Sequence, residues 1–222
     1  MTIEEAIKQR HSVRSYADRP IEQEKLEALR ASVDAVNLQG GLHVQLVAGD
    51  PKAFDGRLAH YGKFSGVSNY FAMIGPKGRL LDETVGYYGE RLLLEAQQMG
   101  LNTCWVGLTF SKNPDVLHLA DGEKLVCVIA LGYGTTPGVG HKVKTIEKVT
   151  KAAAPLPDWF RRGAELALLA PTAMNQQKFT FVLRDGGCVE AKAGWGFFSK
   201  VDLGIVKYHF ELGAVAGNFR WA

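Results

Sequence analysis

The stretch Arg10-His11-Ser12-Val13-Arg14, continuing through Tyr16 to Pro20-Ile21, sets two guanidinium groups four positions apart around a serine. Guanidinium forks match phosphate oxygens and the carbonyl-rich edge of a heterocycle. At helical spacing, positions i and i+4 share a face, so Arg10 and Arg14 are expected on one side with Ser12 donating between them. The competing reading of a basic cluster after a helix is compensation of the macrodipole on a solvated surface. The helix before it is signalled by Thr2 and Glu5, a capping box, with Ile3, Ala6 and Ile7 on one face.

Outward from this stretch the pattern is mixed. A second helix is expected from about Glu22 to Val36, with Leu26, Leu29 and Val33 at helical spacing. Leu42 to Ala48 alternates as a strand. Phe54 to Phe64 reads as a weak helix and Tyr70 to Ile74 as a strand closed by Gly75-Pro76. The strongest helix runs from Glu83 to Met99 and stops at Gly100. Thr103 to Leu108 and Lys124 to Tyr133 are apolar runs of strand length, separated by a short helical turn at Asn113-Pro114-Asp115. Four glycines and three prolines between Gly132 and Pro157 mark a connector. The pattern then restarts with a helix from Asp158 to Ala170, a strand from Phe179 to Leu183, a Gly186-Gly187 turn and a helix from Asp202 to Ala216. The fold class is therefore α+β.

The 222 residues correspond to about one and a half domains. Hydrophobic residues at 46% and charged residues at 22% exclude wholesale disorder. No apolar run is long enough for a transmembrane helix, and Met1-Thr2-Ile3-Glu4-Glu5 lacks the basic and apolar regions of a secretory signal. Cys104, Cys127 and Cys188 form no metal-spaced or CxxC set, so they are expected as small hydrophobes in a reducing cytoplasm. With 26 basic and 23 acidic residues the net charge is +3, too weak and scattered for a nucleic-acid footprint. Neither a nucleic-acid nor a membrane partner is expected, while a localised anion is allowed.

The restart carries a repeat. An offset of 136 (179 − 43) lays His43–Val47 on Phe179–Leu183 and the helix ending at Val33 on the one ending at Leu169. It also places Asn37–Gly41 over Ala173–Gln177. An offset of 118 (204 − 86) pairs Gly86, Leu92, Leu94 and Ala96 with Gly204, Phe210, Leu212 and Ala214. The change of offset corresponds to loss of the weak helix near Phe54–Phe64 from the tail. The alternative is plain recurrence of helix–strand–helix patterns. The expected domains are residues 1–150 and a shortened second copy at 151–222.

A second polar motif lies between a helix and a strand in the tail: Ala170-Pro171-Thr172-Ala173-Met174-Asn175-Gln176-Gln177. Pro171 ends the helix, and Thr172, Asn175 and Gln177 offer hydroxyl and amide groups able to read a planar ligand. The other reading is a polar αβ connector. Together the two motifs resemble the signatures of the FMN-dependent nitroreductase family, Arg-x-Ser-x-Arg with a following aromatic residue and Pro-Ile, and Ala-Pro-Ser-x-x-Asn-x-Gln-Pro-Trp. Thr172 stands for the serine, and Lys178-Phe179 for Pro-Trp. Leu101–Gly107 resembles a third family segment, where a long helix leads into a strand ending near the flavin.

The resemblance implies a nitroreductase-like fold, a mixed or antiparallel sheet flanked by helices. In the ordinary arrangement the second signature lies soon after the first, where this chain holds only Asp34-Ala35-Val36-Asn37-Leu38-Gln39. Members usually build each site at a homodimer interface, so the chain resembles a branch in which a truncated second copy is fused on. A monomeric pseudo-dimer or a homodimer is implied, with one FMN site per chain closed by the Pro171–Gln177 loop. Arg10, His11, Ser12 and Arg14 would bind FMN. Val106 stands where an acidic residue is usual, and Gly107 matches the glycine beside the flavin N5. Lys142 and Lys144 resemble the basic pair for the phosphate or are solvated linker lysines, and Thr172 and Asn175 would reach in from the second copy.

No catalytic side chain is required, because the flavin carries the chemistry. The implied activity is a ping-pong oxidoreductase with NADH or NADPH as transient donor and a nitroaromatic or quinone-like small molecule as acceptor. A flavin-binding protein without turnover, or another flavin reaction such as dehalogenation or dehydrogenation, is the alternative. No GxGxxG follows a strand, and no Ser–His–Asp set or metal-spaced cluster is present. Trp195, Phe197 and Phe198 are read as tail-core packing in preference to a lid. His11, His43, His60, His118, His141 and His209 are scattered and read as surface or packing residues.

Overall fold

The computed structural model describes residues 1–57, 61–153 and 155–222. These form two compact units, Met1–Leu81 with Arg91–Gly140, and Asp82–Glu90 with His141–Ala222.

In the first unit, α1 (Ile3–Gln9) starts at the expected capping box. The Glu5 N–H donates to Thr2 Oγ1 at 3.2 Å and the Thr2 N–H donates to Glu5 Oε2 at 2.7 Å. α2 (Gln23–Gly40) outruns its expected end at Val36 and stops where Gly41 takes the left-handed cap conformation at φ 59°. β1 (Gln45–Ala48) is shorter than the Leu42–Ala48 run. Asn37 explains this: its amide oxygen accepts the Val44 N–H at 2.7 Å and its amide nitrogen donates to the Val44 carbonyl at 2.9 Å, taking both from a strand ladder. β2 (Asn69–Pro76), β3 (Asn102–Val106) and β4 (Glu123–Gly132) complete an antiparallel sheet in the order β1-β2-β4-β3. Phe71 and Trp105 both register with Ile129 on the central β4.

Strand alternation decides the core. Tyr70, Ala72 and Ile74 join Phe54, Phe64, Cys104, Val106, Val128 and Ala130 in one cluster. The intervening Phe71 and Met73 are fully buried on the opposite face. The expected weak helix at Phe54–Phe64 falls partly on residues 58–60, outside the described residues; before them, Pro51–Phe54 is a 3₁₀ turn. The turn at Asn113-Pro114-Asp115 is present, with the Asn113 amide donating to the buried Asp50 carboxylate at 2.9 Å.

The long α3 (Leu81–Gln98) supplies its first half to the second unit and its remainder to the first. The second unit adds α4 (Asp158–Leu168), α5 (Ser199–Ala214) and a mixed sheet. Its strands are β5 (Thr150–Lys151), β6 (Phe179–Leu183), β7 (Cys188–Ala193) and β8 (Arg220–Trp221), in that spatial order. β6 and β7 form an antiparallel hairpin through the Gly186-Gly187 turn, while β5 and β8 pair in parallel at the two edges. The sequence reading contains no β7, because Cys-Val-Glu-Ala-Lys-Ala holds one β-branched residue and two charges. Only Val189 of that strand is fully buried.

Two backbone contacts hold the helices of this unit. A Cβ on Gly86 of α3 would lie 2.0 Å from the Val201 carbonyl oxygen, and one on Gly204 of α5 would lie 1.9 Å from that of Glu83. The approach is reciprocal, each glycine facing the carbonyl three residues before the other. Beside it, a Cβ on Gly163 of α4 would lie 2.8 Å from the Phe210 ring. Phe210 centres an aromatic cluster with Phe160, Phe181, Phe219 and Trp221, its centroid 4.4 Å from that of Phe181.

Gly204→Ala is therefore expected to cost about 3 kcal/mol or more, since backbone cannot move aside as a side chain can. Phe210→Ala should cost about 3–5 kcal/mol by opening a cavity. Chemical denaturation followed by tryptophan fluorescence measures both.

Candidate functional site

The first motif is not helical. α1 ends at Gln9, and Arg10 caps it in an extended conformation, φ −71° and ψ 133°. From there the chain bridges to β3, Ser12 pairing in parallel with Thr103 and the Val13 N–H donating to the Thr103 carbonyl at 3.1 Å. The expected clustering survives for a different reason. In extended backbone, i, i+2 and i+4 point the same way, so Arg10, Ser12 and Arg14 still share a side.

Their common neighbour is the Cys104 thiol. Burial pushes it above the ordinary thiol range, opposed by the Arg14 guanidinium, a Ser12 hydrogen bond and then Arg10. Arg10 is only 4% exposed, whereas Arg14 is open to solvent. Beside them the Thr103 hydroxyl is buried with no hydrogen-bond partner among the described residues. Val106 pairs with Val128 and points into the core, so it offers backbone alone. Gly107 follows it, half-buried, at the end of β3.

The glycine-rich connector folds back on this segment. Tyr16 bridges to Gly134, and the Gly134 N–H donates to Asn102 Oδ1 at 2.9 Å. Gly138, at φ 78°, lies so close that a Cβ there would sit 2.7 Å from the His11 Cβ. The stretch up to Gly140 is thus part of the first unit, and His11 lies beneath it.

In the second unit the loop after α4 is held from several sides. Met174, Asn175 and Gln177 all have φ near +50°, at 51°, 52° and 46°, a conformation costing roughly 1–2 kcal/mol for each non-glycine residue. Hydrogen bonds offset this. The Gln177 N–H donates to Thr172 Oγ1 at 3.0 Å, and its side-chain amide donates to the Lys142 carbonyl at 2.8 Å and to Asn175 Oδ1 at 2.7 Å. Gln177 Oε1 accepts the Lys144 N–H, and the Lys144 ammonium donates to the carbonyls of Gln176 and Gln177 at 2.8 and 2.7 Å. Asn175 Nδ2 donates to the Lys142 carbonyl at 2.9 Å.

These bonds change which groups face outward. Gln177, expected as a ligand-reading amide, is 3% exposed and fully engaged within the loop. Lys144 faces loop carbonyls, while Lys142 is exposed. Thr172 retains a hydroxyl proton, and Met174 stands 83% exposed. Trp195 and Phe197 do not pack into the tail core, being 94% and 52% exposed on a loop where Gly194 and Gly196 flank the tryptophan. Phe198 is half-buried at φ 55°.

One contributor escapes the sequence reading altogether. Asp202, in the first turn of α5, accepts the Ala173 N–H at 2.9 Å and the Gln176 amide at 2.6 Å. Burial raises its carboxyl to about 6. An acidic residue near a helix start is so common a capping signal that it announces nothing further.

The histidines serve packing and surface pairs. His209 is wholly buried, donating from Nδ1 to the Leu166 carbonyl and pairing through Nε2 with Glu90 at 2.8 Å. His43 pairs with Glu123, and His141 donates to the Leu168 carbonyl; His60 lies outside the described residues. No group of metal-ligating side chains and no helix long and apolar enough to cross a membrane occurs among the described residues. A groove of about 450 Å³ at the β5–β7 edge, lined by Lys151, Thr180, Val182, Arg184 and Lys192, involves none of the motif residues. Glu190 pairs with both Arg184 and Lys192 there.

An antiparallel sheet flanked by helices, with an Arg-x-Ser-x-Arg segment bridging to its edge strand, defines a nitroreductase-like α+β fold. The chain belongs to the family described as "Putative TM nitroreductase", whose model matches residues 2–214. Among solved structures, a Thermotoga maritima protein named a "putative nitroreductase" is similar with TM-score 0.63 and 24% identity, over 96% of this chain and 83% of that one. A Desulfovibrio desulfuricans protein of the same designation, solved in complex with FMN, has TM-score 0.54 and 20% identity, over 71% and 99%. A Parabacteroides distasonis "Putative NADH dehydrogenase/NAD(P)H nitroreductase" has TM-score 0.53 and 24% identity, over 66% and 95%. No curated protein matches the chain.

Thiol chemistry tests the first motif's placement. None of the three cysteines forms a disulfide among the described residues, Cys104 and Cys127 being buried and Cys188 half-buried. At about pH 8, where an accessible thiol is substantially ionised, iodoacetamide should label Cys188 in the native protein and the other two only on unfolding. Native labelling of Cys104 would contradict its burial beneath Arg10 and Ser12.

Proposed function

We propose that the protein is an FMN-dependent oxidoreductase that uses NADH or NADPH to reduce nitroaromatic or quinone-like acceptors. The observation that carries this reading is the convergence of Arg10, Ser12 and Arg14 on one side of an extended segment at β3, beside the Thr103 hydroxyl, which has no hydrogen-bond partner among the described residues. Family membership supports it, as do the FMN complex of the Desulfovibrio desulfuricans protein and the printed name of the Parabacteroides distasonis one.

The residues present fit the cofactor. Arg10, Ser12 and Arg14 suit the phosphate and the polar pyrimidine edge, and Thr103 adds a buried hydroxyl able to donate. Gly107 leaves its backbone N–H open to close approach. The family resemblance assigns Thr172 and Asn175 of the second unit to the cofactor as well, Asn175 through its main chain because its amide is engaged. Lys142 offers a solvent-exposed ammonium, and His11 contributes backbone. When bound, FMN supplies two-electron chemistry, accepting a hydride from the nicotinamide and passing electrons to the acceptor in a ping-pong cycle. Burial of Arg10 excludes water from its guanidinium, which strengthens charge pairing with an anion. Arg14, at the surface, attracts the anion and is screened by salt.

The same reading makes the second unit a shortened copy of the first, so that one chain does the work of a dimer in the cytoplasm. The order α2-β1-β2-α3 recurs as α4-β6-β7-α5, both strand pairs antiparallel. The offset of 118 carries the first residue of α3, Leu81, onto that of α5, Ser199. The reciprocal Gly86–Gly204 contact is what a two-fold relation between corresponding helices produces.

The purified protein should carry close to one FMN per chain, and NADH or NADPH should bleach its visible absorbance without oxygen. Arg10→Ala should remove charge-assisted contacts of about 1.5–3 kcal/mol each, weakening FMN roughly 10- to 150-fold. Unchanged FMN affinity in that variant would remove the site assignment; failure of both nicotinamides to bleach the flavin would remove the reductase reading.

A further inference from the structure

We propose that Asp202 is the positioning residue of the Thr172–Gln177 loop, its ionised carboxylate setting the loop conformation that the ligand meets. The ligand rests on the flavin reading above; the loop geometry does not. Three non-glycine residues of this loop hold left-handed backbone that they would leave if released. Asp202, 3% exposed, reaches into the loop with both oxygens. Oδ1 accepts the Ala173 N–H at 2.9 Å and Oδ2 the Gln176 side-chain amide at 2.6 Å. That amide also donates to the Phe197 carbonyl at 2.8 Å, joining the loop to the segment that leads into α5. On its own helix the Asp202 N–H donates to the Phe198 carbonyl.

An ionised carboxylate can accept both loop bonds. Protonation turns one oxygen into a donor, so one bond is given up and the left-handed run loses a restraint. Burial raises the Asp202 carboxyl to about 6, opposed only by the Ala173 N–H and the Gln176 amide, with no charged side chain among the causes.

The signs of two pH effects then differ. Because the folded value lies above the ordinary 3.8, the native state binds the proton more tightly than the unfolded chain. Asp202 therefore favours folding more as pH falls from about 6 toward 3.8, a contribution lost as pH rises through 6. Loop order runs the other way, present above 6 and lost below. A merely structural residue would move stability and ligand affinity together; Asp202 moves them apart.

The test titrates the whole protein with FMN by fluorescence between about pH 8 and pH 5, with thermal midpoints alongside. Wild-type affinity should fall about tenfold, the loss of one charge-assisted hydrogen bond, with its half-point near 6. The midpoint should not fall with it. Asp202→Asn should show the weaker affinity throughout and no inflection. Should that variant not fold, Gln176→Ala leaves Asp202 ionised while removing one bond, and should weaken FMN at about pH 8 and shift the inflection upward. A flat wild-type profile, or a variant that keeps the wild-type profile, overturns the proposal. If the wild-type chain binds no FMN at any pH, the flavin reading fails separately. Hydrogen exchange of the Ala173 and Gln177 amides then decides: faster exchange in Asp202→Asn supports the positioning role, and equal exchange overturns it.

Discussion

The close contact between α3 and α5 is the constraint on which the second unit depends. At Gly86 and Gly204 each helix presses directly on a carbonyl of the other, and no residue with a Cβ fits at either point. The approach brings polar pairs of these helices within reach along the same line. Lys207 meets Glu83 at 2.8 Å, Tyr87 donates to Glu211, and His209 meets Glu90 without solvent. Glu211 in turn accepts the Trp221 indole N–H at 2.6 Å, tying the C-terminal strand to α5. Two residues before Gly204, Asp202 is carried into the Thr172–Gln177 loop. Helix packing and loop geometry thus share one cause.

In the first unit the corresponding constraint is the end of α1. Had the helix continued past Gln9, Arg10 and Arg14 would also share a face, but Ser12 would lie roughly 160° away from that line. The extended path brings all three to one side and lets Ser12 and Val13 pair with β3. Arg10 is buried in the process while Arg14 stays at the rim. One guanidinium is thereby shielded from salt and the other is not.

Much of the fold is legible locally. The Thr2–Glu5 capping box and the apolar runs in β2, β3 and β4 declare themselves over a few residues, whereas the end of α2, read at Val36, falls at Gly41. β7 does not, because Cys188–Ala193 lacks the composition of a strand and exists by pairing with β6. The connector's glycines mark it in the sequence, but the need for one at Gly138, where chain and His11 must nearly touch, does not show there. Trp195 and Phe197 mislead oppositely, aromatic side chains that remain in solvent.

The amino-acid sequence by itself determined the main helices, the strands of the first sheet and the two polar motifs, because capping, periodicity and motif spacing are short-range properties. The tertiary structure alone decided which polar groups remain available. Gln177 and Lys144 are drawn into holding the loop, the Thr103 hydroxyl is left without a hydrogen-bond partner among the described residues, and Asp202 becomes a buried carboxylate shared between loop and helix. Desolvation and hydrogen-bond satisfaction depend on neighbours distant along the chain. No window of sequence contains Ala173, Gln176 and Asp202 as one environment until the fold has brought them together.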